Sequence, residues 1–298
     1  MYYYKDVNDI TPVEEYDGVY FKRDDLYRPF DPEPLNGGKV RQCITLIKAN
    51  LDKIKKEHNS CVATVTSVNS PQGIIIARVC QEFGLRCIIG VGGPGKNDNN
   101  ICNAIRDFGG EIITLSPMAY DNVLYSKLME LHQHENFFVI KFGINVSEST
   151  EIRDYISNQV INIPDELENL VIPTGSGICA GAILHGIKKF EKKVKNVYVV
   201  QIAGYDRTAT INKIESTIPY IYLPYEKFPY SKKLKIFIRP DFQLDTVYES
   251  KAYHWMINSP HPITTYKFGK LPVPESDHIQ IGNKKTLFWC VGNASMYR

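Results

Sequence analysis

Lys39 is the side chain best placed for covalent chemistry: it follows two glycines in Asn36-Gly37-Gly38-Lys39-Val40-Arg41, where an amphipathic helix begins. Glycines let a ligand or another backbone approach closely, and an amine held there can form a Schiff base. A cation gains nothing from the dipole at a helix start, so stability does not explain the placement. On this segment alone, a solvated surface lysine remains the simpler reading. A second candidate is Pro173-Thr174-Gly175-Ser176-Gly177, between an apolar strand and a helix. Small residues there let backbone N–H groups converge on an anion, and Thr174 and Ser176 add hydroxyls. The segment lacks the Gly-Lys-Ser/Thr ending of a nucleotide P-loop, so it suits a phosphate held without a lysine. Its alternative is a tight strand-to-helix turn.

Two further segments carry polar chemistry. In Thr66-Ser67-Val68-Asn69-Ser70-Pro71-Gln72-Gly73, hydroxyls, amides and free N–H groups suit a carboxylate or a planar cofactor, although Ser70 before Pro71 is also an ordinary helix cap. In Leu244–Ile257, helical spacing puts Tyr248, Ala252 and Met256 on one face. Composition alone makes that tyrosine a core aromatic and Glu249 an exposed charge. Gly90-Val91-Gly92-Gly93-Pro94-Gly95 fits the dinucleotide-binding pattern, but Pro94 is awkward at the turn and the ribose-binding acid is not evident. Seven scattered cysteines show neither disulfide nor zinc spacing. His185 and the other histidines show no metal-ligand spacing. No metal is expected.

These residues need a scaffold, and the pattern supplies one. Strand-like runs at Cys61–Thr66, Cys87–Val91, Glu111–Leu115, Phe137–Ile140, Leu170–Ile172 and Val197–Ile202 alternate with helix-like runs. The helices are predicted at Pro71–Phe83, Asp98–Phe108, Asp121–His132, Thr150–Val160 and Ile178–Glu191. The helix after Lys39 repeats Val40, Ile44, Ile47, Leu51 and Ile54 along one face. Such alternation predicts an α/β fold with parallel sheets flanked by helices. Beyond about residue 204 the pattern is irregular, with a last helix predicted at Thr246–Ile257 and a last strand at Thr286–Cys290. The length of 298 residues suits two domains or one large one, and a net charge of +2 is too mild to name a nucleic-acid or membrane partner. The basic run Lys188–Lys195 reads as a solvated helix end. With no signal core or membrane-length apolar run, a soluble protein of a reducing cytoplasm is expected (a host's, if phage-encoded).

Jointly, the segments resemble the fold type II, tryptophan-synthase-β-like pyridoxal-phosphate enzymes. The closest likeness is to the 1-aminocyclopropane-1-carboxylate deaminase and D-cysteine desulfhydrase branch. Lys22-Arg23-Asp24-Asp25 and Gly37-Gly38-Lys39-Val40-Arg41 match that family's paired motifs, with the asparagine moved ahead of the glycines as Asn36. Val247-Tyr248-Glu249-x-Lys251-x-x-His254-x-Met256-Ile257 is similar to the deaminase's C-terminal motif. The resemblance runs from about residue 20 to 293. It implies two domains, each with a largely parallel twisted sheet. Residues 1–40 plus 148–298 would form the larger, cofactor-binding domain, and 41–147 a smaller one inserted in it. It implies pyridoxal 5'-phosphate held covalently by Lys39 and surrounded by Asn69, Thr174, Gly175, Ser176, Gly177 and Glu249. It gives catalytic parts to Lys39, Tyr248, Ser70 and a second tyrosine near Tyr222 or Tyr225. Ser67, Ser70 and Gln72 are implied to hold the substrate, and a homodimer is expected.

Departures from the family pattern surround the substrate. Pro71 replaces the asparagine of a Ser-Asn-Gln loop, with Asn69 as its stand-in. The 204–244 region is short, and Val291-Gly292-Asn293 is altered. Glu249 beside the ring nitrogen would keep it protonated, favouring elimination, deamination, racemisation or decarboxylation. The first expectation is a lyase or deaminase of a small free amino acid. A second is an enzyme acting on an amino-acid group attached to thymidine in bacteriophage DNA, by decarboxylation or isomerisation. A third is a non-catalytic cofactor-binding protein.

Overall fold

The structure is a computed structural model that describes residues 3–67, 70–93, 99–116, 121–145, 150–202, 205–258 and 285–292. Asn69, Pro94, Gly95 and Asn293 lie outside the described residues.

A hairpin that the sequence pattern did not reveal comes first, β1 (Val13–Tyr16) and β2 (Val19–Arg23), paired antiparallel. β1 is a half-exposed edge strand reading Val-Glu-Glu-Tyr, so it lacks the apolar run that marks a buried strand. α1 (Gly38–Glu57) follows and buries Val40, Ile44, Ile47 and Ile54 along the expected stripe. The next elements are β3 (Cys61–Thr66), α2 (Pro71–Glu82), β4 (Arg86–Gly92), α3 (Asn100–Asp107), β5 (Gly110–Ser116), α4 (Asp121–His132) and β6 (Phe138–Ile140). Their strands form a four-stranded parallel sheet in the order β5-β4-β3-β6. β3 is buried at every position, as a strand covered on both faces must be. Gly90 lies inside β4 beneath Leu115, where a Cβ would collide, so packing accounts for that glycine without a dinucleotide.

The rest of the chain comprises α5 (Thr150–Ser157), β7 (Glu166–Thr174), α6 (Ile178–Lys189), β8 (Lys193–Gln201), α7 (Thr208–Ile214) and β9 (Ile221–Pro224). The short pair β10 (Phe237–Arg239) and β11 (Phe242–Gln243), then α8 (Glu249–Asn258) and β12 (Thr286–Cys290), follow. The second sheet has the order β1-β2-β12-β7-β8-β9 and is parallel except at the β1–β2 hairpin. β12 is thus a central strand, buried throughout between β2 and β7. α8 begins later than the sequence predicts because Asp245 Oδ1 accepts the N–H groups of Val247 and Tyr248, making a turn of the would-be first helical residues. α5 likewise stops at Ser157 and tightens into a 3-10 turn.

The Lys188–Lys195 run is not simply a solvated helix end. Lys188 and Lys189 close α6, whereas Lys193 and Lys195 start β8. Its cations pair with neighbouring acids: Lys188 with Glu215, Lys189 with Asp154, Lys192 with Asp165, Lys193 with Glu166 and Lys195 with Glu168. Among the described residues, no helix is long and apolar enough to cross a membrane.

Candidate active site

α1 starts under unusual constraint. Gly37 has φ 86°, the Gly38 N–H donates to Val291 O at 3.0 Å, and the Gly37 N–H donates to Tyr27 O at 3.0 Å. The chain passes so close to Gly292 that neither Gly37 nor Gly292 has room for a Cβ. Three residues after Gly38, fully buried Arg41 pairs with Asp24 at 3.2 Å, donates to Val7 O and Asp9 O, and lies over the Tyr27 ring. The Lys22–Asp25 and Gly37–Arg41 motifs are therefore one ion-paired unit. It anchors the first turn of α1 on the side away from Lys39. Arg23 completes it by pairing with Asp25 and Glu14.

Lys39 lines a cavity with Thr174, Gly175, Ser176 and Tyr248. Cys179, Val291 and Gly292 contribute to the same wall. Gly177 is left-handed, with φ 84°, and caps α6, whose N-terminus opens beside the loop. Thr174 Oγ1 accepts the Gly177 N–H at 3.2 Å, so its own proton is available to a ligand. The Gly175 carbonyl accepts from Gln201 Nε2 at 3.0 Å, which fixes the loop from behind. Gly175 is a cradle in the strict sense: a Cβ there would lie 2.7 Å from Tyr248 Cε1. Cys179 faces Lys39, and burial pushes its thiol up to about 11 although the lysine charge opposes this. It is a neutral thiol, not a second nucleophile.

Glu249 is buried, contrary to what composition suggests, and does not line the cavity itself. Its carboxylate accepts the N–H groups of Asp245 and Gly292, both at 2.8 Å, so it stands directly behind the Gly292 wall. Burial, with Asp25 and Asp245 nearby, pushes it up to about 8 against the pull of those two bonds. A carboxyl this reluctant to ionise beside the cavity suits a cationic partner. An amine, a glycine-lined anion loop and a charge-poor carboxyl around one cavity fit pyridoxal phosphate.

The other sequence candidates are placed differently. Ser70 caps α2, accepting the Gln72 N–H at 3.3 Å, and its own N–H donates to Ser67 O at 2.9 Å. Gln72 is completely buried and turned inward. Its amide donates to Thr64 Oγ1 at 3.0 Å and accepts the Gly143 N–H at 2.7 Å. Both ends of the Gln72 amide, expected at the substrate, thus bind the protein. Tyr222, expected as a catalytic tyrosine, is likewise bonded within the protein. It is buried in β9 against α6 and β8, its hydroxyl accepts the Arg207 N–H at 3.0 Å, and burial raises it to about 12. Tyr225 contacts His254 instead, at 3.4 Å. The tyrosine that does approach is Tyr230, whose hydroxyl lies 3.0 Å from that of Tyr248. Nothing in its local sequence marks it, because it sits at the end of a Tyr- and Pro-rich stretch without period. His185 bonds Glu215 and Arg153 at 3.4 and 3.2 Å and is structural. A larger open groove is bounded by the Lys193–Glu166 and Lys195–Glu168 pairs, in which the amines are held against carboxylates.

Known proteins share this frame. Over 201 residues the chain is 26% identical to the O-seryl-dTMP PLP-dependent decarboxylase of Salmonella phage ViI, a match covering 62% of this chain. The chain spans about half the length of that relative, 47%. An ACC deaminase homologue superposes with a TM-score of 0.72 at 17% identity, covering 98% of this chain and 92% of its own. Diaminopropionate ammonia lyase of Escherichia coli gives 0.60 at 14% identity, covering 97% of this chain and 85% of its own. O-ureido-L-serine synthase gives 0.63 at 12%, covering 98% and 91%. At such identities the structural likenesses establish the fold alone. The family model described as pyridoxal-phosphate dependent enzyme matches residues 6–229, and the protein whose Lys39 lies opposite that glycine-rich loop belongs to this family.

Proposed function

We propose that this pyridoxal-phosphate-dependent enzyme removes the carboxylate from a seryl group carried on a nucleotide. One observation carries the reading: at Ser70–Gln72, within the segment that would anchor a free amino acid's carboxylate, the main-chain N–H groups are committed to the protein. The Ser70 and Gln72 N–H groups are used within the turn, Pro71 has none, and the Gln72 amide points inward. A carboxylate that must depart is better left weakly held than clamped. The match to the phage decarboxylase supports the same reading.

The bound cofactor supplies an electron sink for the pair left at Cα. The protein's residues do the rest. Lys39 Nζ would hold the cofactor and, once the substrate amine has displaced it, would as an ammonium deliver a proton to Cα in place of the departed CO2. The Thr174 and Ser176 hydroxyls and the α6 N-terminus hold the phosphate. Glu249, through the Gly292 wall, favours positive charge on the ring side. Tyr248 covers the cavity and excludes water.

The test is to offer the cofactor-loaded protein O-seryl-dTMP and, separately, L- and D-serine. The expected result is CO2 and a nucleotide lighter by that mass, with free serine unchanged. Ammonia release from free serine with the nucleotide intact would instead establish a deaminase of small amino acids. The Tyr230–Tyr248 hydroxyl pair, a ready proton relay, favours that second reading. Lys39→Ala should abolish the yellow, borohydride-reducible adduct in either case; an adduct that survives the change removes Lys39 from its role.

A further inference from the structure

Lys251 is buried with no exposed surface, yet it contributes nothing to the cavity wall. Burying an ammonium costs several kcal/mol unless its hydrogen bonds are met, and a methionine would fill the volume without that cost. Lys251 Nζ donates to two successive carbonyls, Pro229 O at 2.7 Å and Tyr230 O at 3.0 Å, and lies 5.8 Å from the Tyr230 ring centroid. Both carbonyls belong to a segment without strand or helix, tied elsewhere by Lys232 N–H to Pro229 O and by Leu234 N–H to Thr246 O. Tyr230 leaves this segment to meet Tyr248, with rings edge to face at 5.9 Å and 72° and hydroxyls 3.0 Å apart. Lys251 stands three residues after Tyr248, so the start of α8 presents one tyrosine to the cavity and grips the backbone of the other.

We propose that Lys251 is a positioning residue that fixes the Tyr230 backbone so that the Tyr230 hydroxyl sets the direction of the Tyr248 hydroxyl at the cavity. The inference rests on this cavity being the reaction site, not on which substrate enters it. When Tyr230 donates to Tyr248, the Tyr248 proton is turned toward the cavity and its oxygen is made a better acid. When Tyr248 donates, its proton is withheld. Either arrangement requires the loop to stay within a hydrogen bond's tolerance, which side-chain packing alone sets loosely.

The test uses cofactor-loaded protein with fluorotyrosine at position 248 and reads its fluorine NMR resonance, which needs no substrate. Tyr230→Phe moves the resonance. Lys251→Met is expected to move it to the same place or broaden it, and Lys251→Arg, whose fork can meet both carbonyls, to return it toward the parent. Lys251→Gln, the milder replacement should methionine prevent folding, is expected to fall between. A resonance at the parent position in folded Lys251→Met or Lys251→Gln, with Tyr230→Phe still shifted, overturns the proposal. With a turnover substrate in hand, Lys251→Met and Tyr230→Phe should each lower kcat about tenfold or more with KM less affected. The double variant should be no slower than Tyr230→Phe alone, and multiplying effects would oppose the clamp. Failure of the decarboxylation reading leaves the NMR outcome standing, and the reverse also holds.

Discussion

Glu249 shows how a single buried group links stability to ligand. Burial pushes its pKa in the folded chain to about 8, above the ordinary carboxyl value of 4.5, so the folded chain binds the extra proton between those limits. By linkage its contribution is full at low pH and is lost as pH rises from about 5 to about 8. Glu249→Gln removes the titration but also one of the two accepting oxygens, so the cofactor-free variant carries a fixed cost at low pH and should gain on the parent as pH rises across that range. Urea unfolding of both proteins at a series of pH values reads this. Taking the difference between them cancels Lys22, whose burial depresses it to about 7. Parallel pH curves would show that Glu249 is ionised throughout. Lys39 and the Thr174–Ser176 loop were legible as candidates from residue type and spacing, whereas Tyr248 was singled out only by the family resemblance. The burial of Glu249, the inward turn of Gln72 and the approach of Tyr230 were not legible. Each depends on contacts made across the fold, and Tyr230 is one of nineteen tyrosines.

At the level of elements, the cofactor loop works because β7, α6 and the Tyr248 turn meet at Gly175. Gly175→Ala puts a methyl carbon against the Tyr248 ring, so the fold should persist while pyridoxal phosphate affinity falls at least tenfold, as a titration of visible absorbance would show. An unchanged affinity would mean the ring yields easily. Thr174→Val removes the acceptor of the Gly177 N–H and should cost about 1 kcal/mol of stability along with phosphate affinity. Arg41→Met leaves Asp24 buried without its cation and should cost about 3–5 kcal/mol in urea unfolding. The core strands and most helices were legible because fully covered strands read as apolar runs and α1 as a clean stripe. The β1–β2 hairpin and β9 were not, since a half-exposed edge and a four-residue strand among tyrosines and prolines carry little period.

Across the whole molecule, charge is matched locally. The Lys188–Lys195 cations pair with acids on α5, β7 and the segments after them, so this face offers no continuous positive surface to a duplex. Replacing Lys193 and Lys195 by alanine should leave stability essentially unchanged in urea unfolding, since exposed ion pairs are screened by solvent. Electrophoretic mobility of duplex DNA should be the same with either protein; a loss of binding on replacement would locate a nucleic-acid surface there. The two sheets also differ in how they are completed. The four-stranded sheet draws on residues 61–140, whereas the six-stranded sheet takes β12 into its centre from beyond residue 285. Deleting β12 should therefore leave no cooperative unfolding transition in the six-stranded sheet, rather than a frayed edge.

That placement also orders events during synthesis. The Gly38 N–H is met by Val291 O, and Gly292 walls the cavity, so Lys39 waits until residues 291 and 292 are made before its surroundings exist. A ribosome still holding β12 presents an amine with no pocket. Capture of the vitamin-derived aldehyde thus reports that synthesis has passed Gly292, and products truncated before it remain colourless.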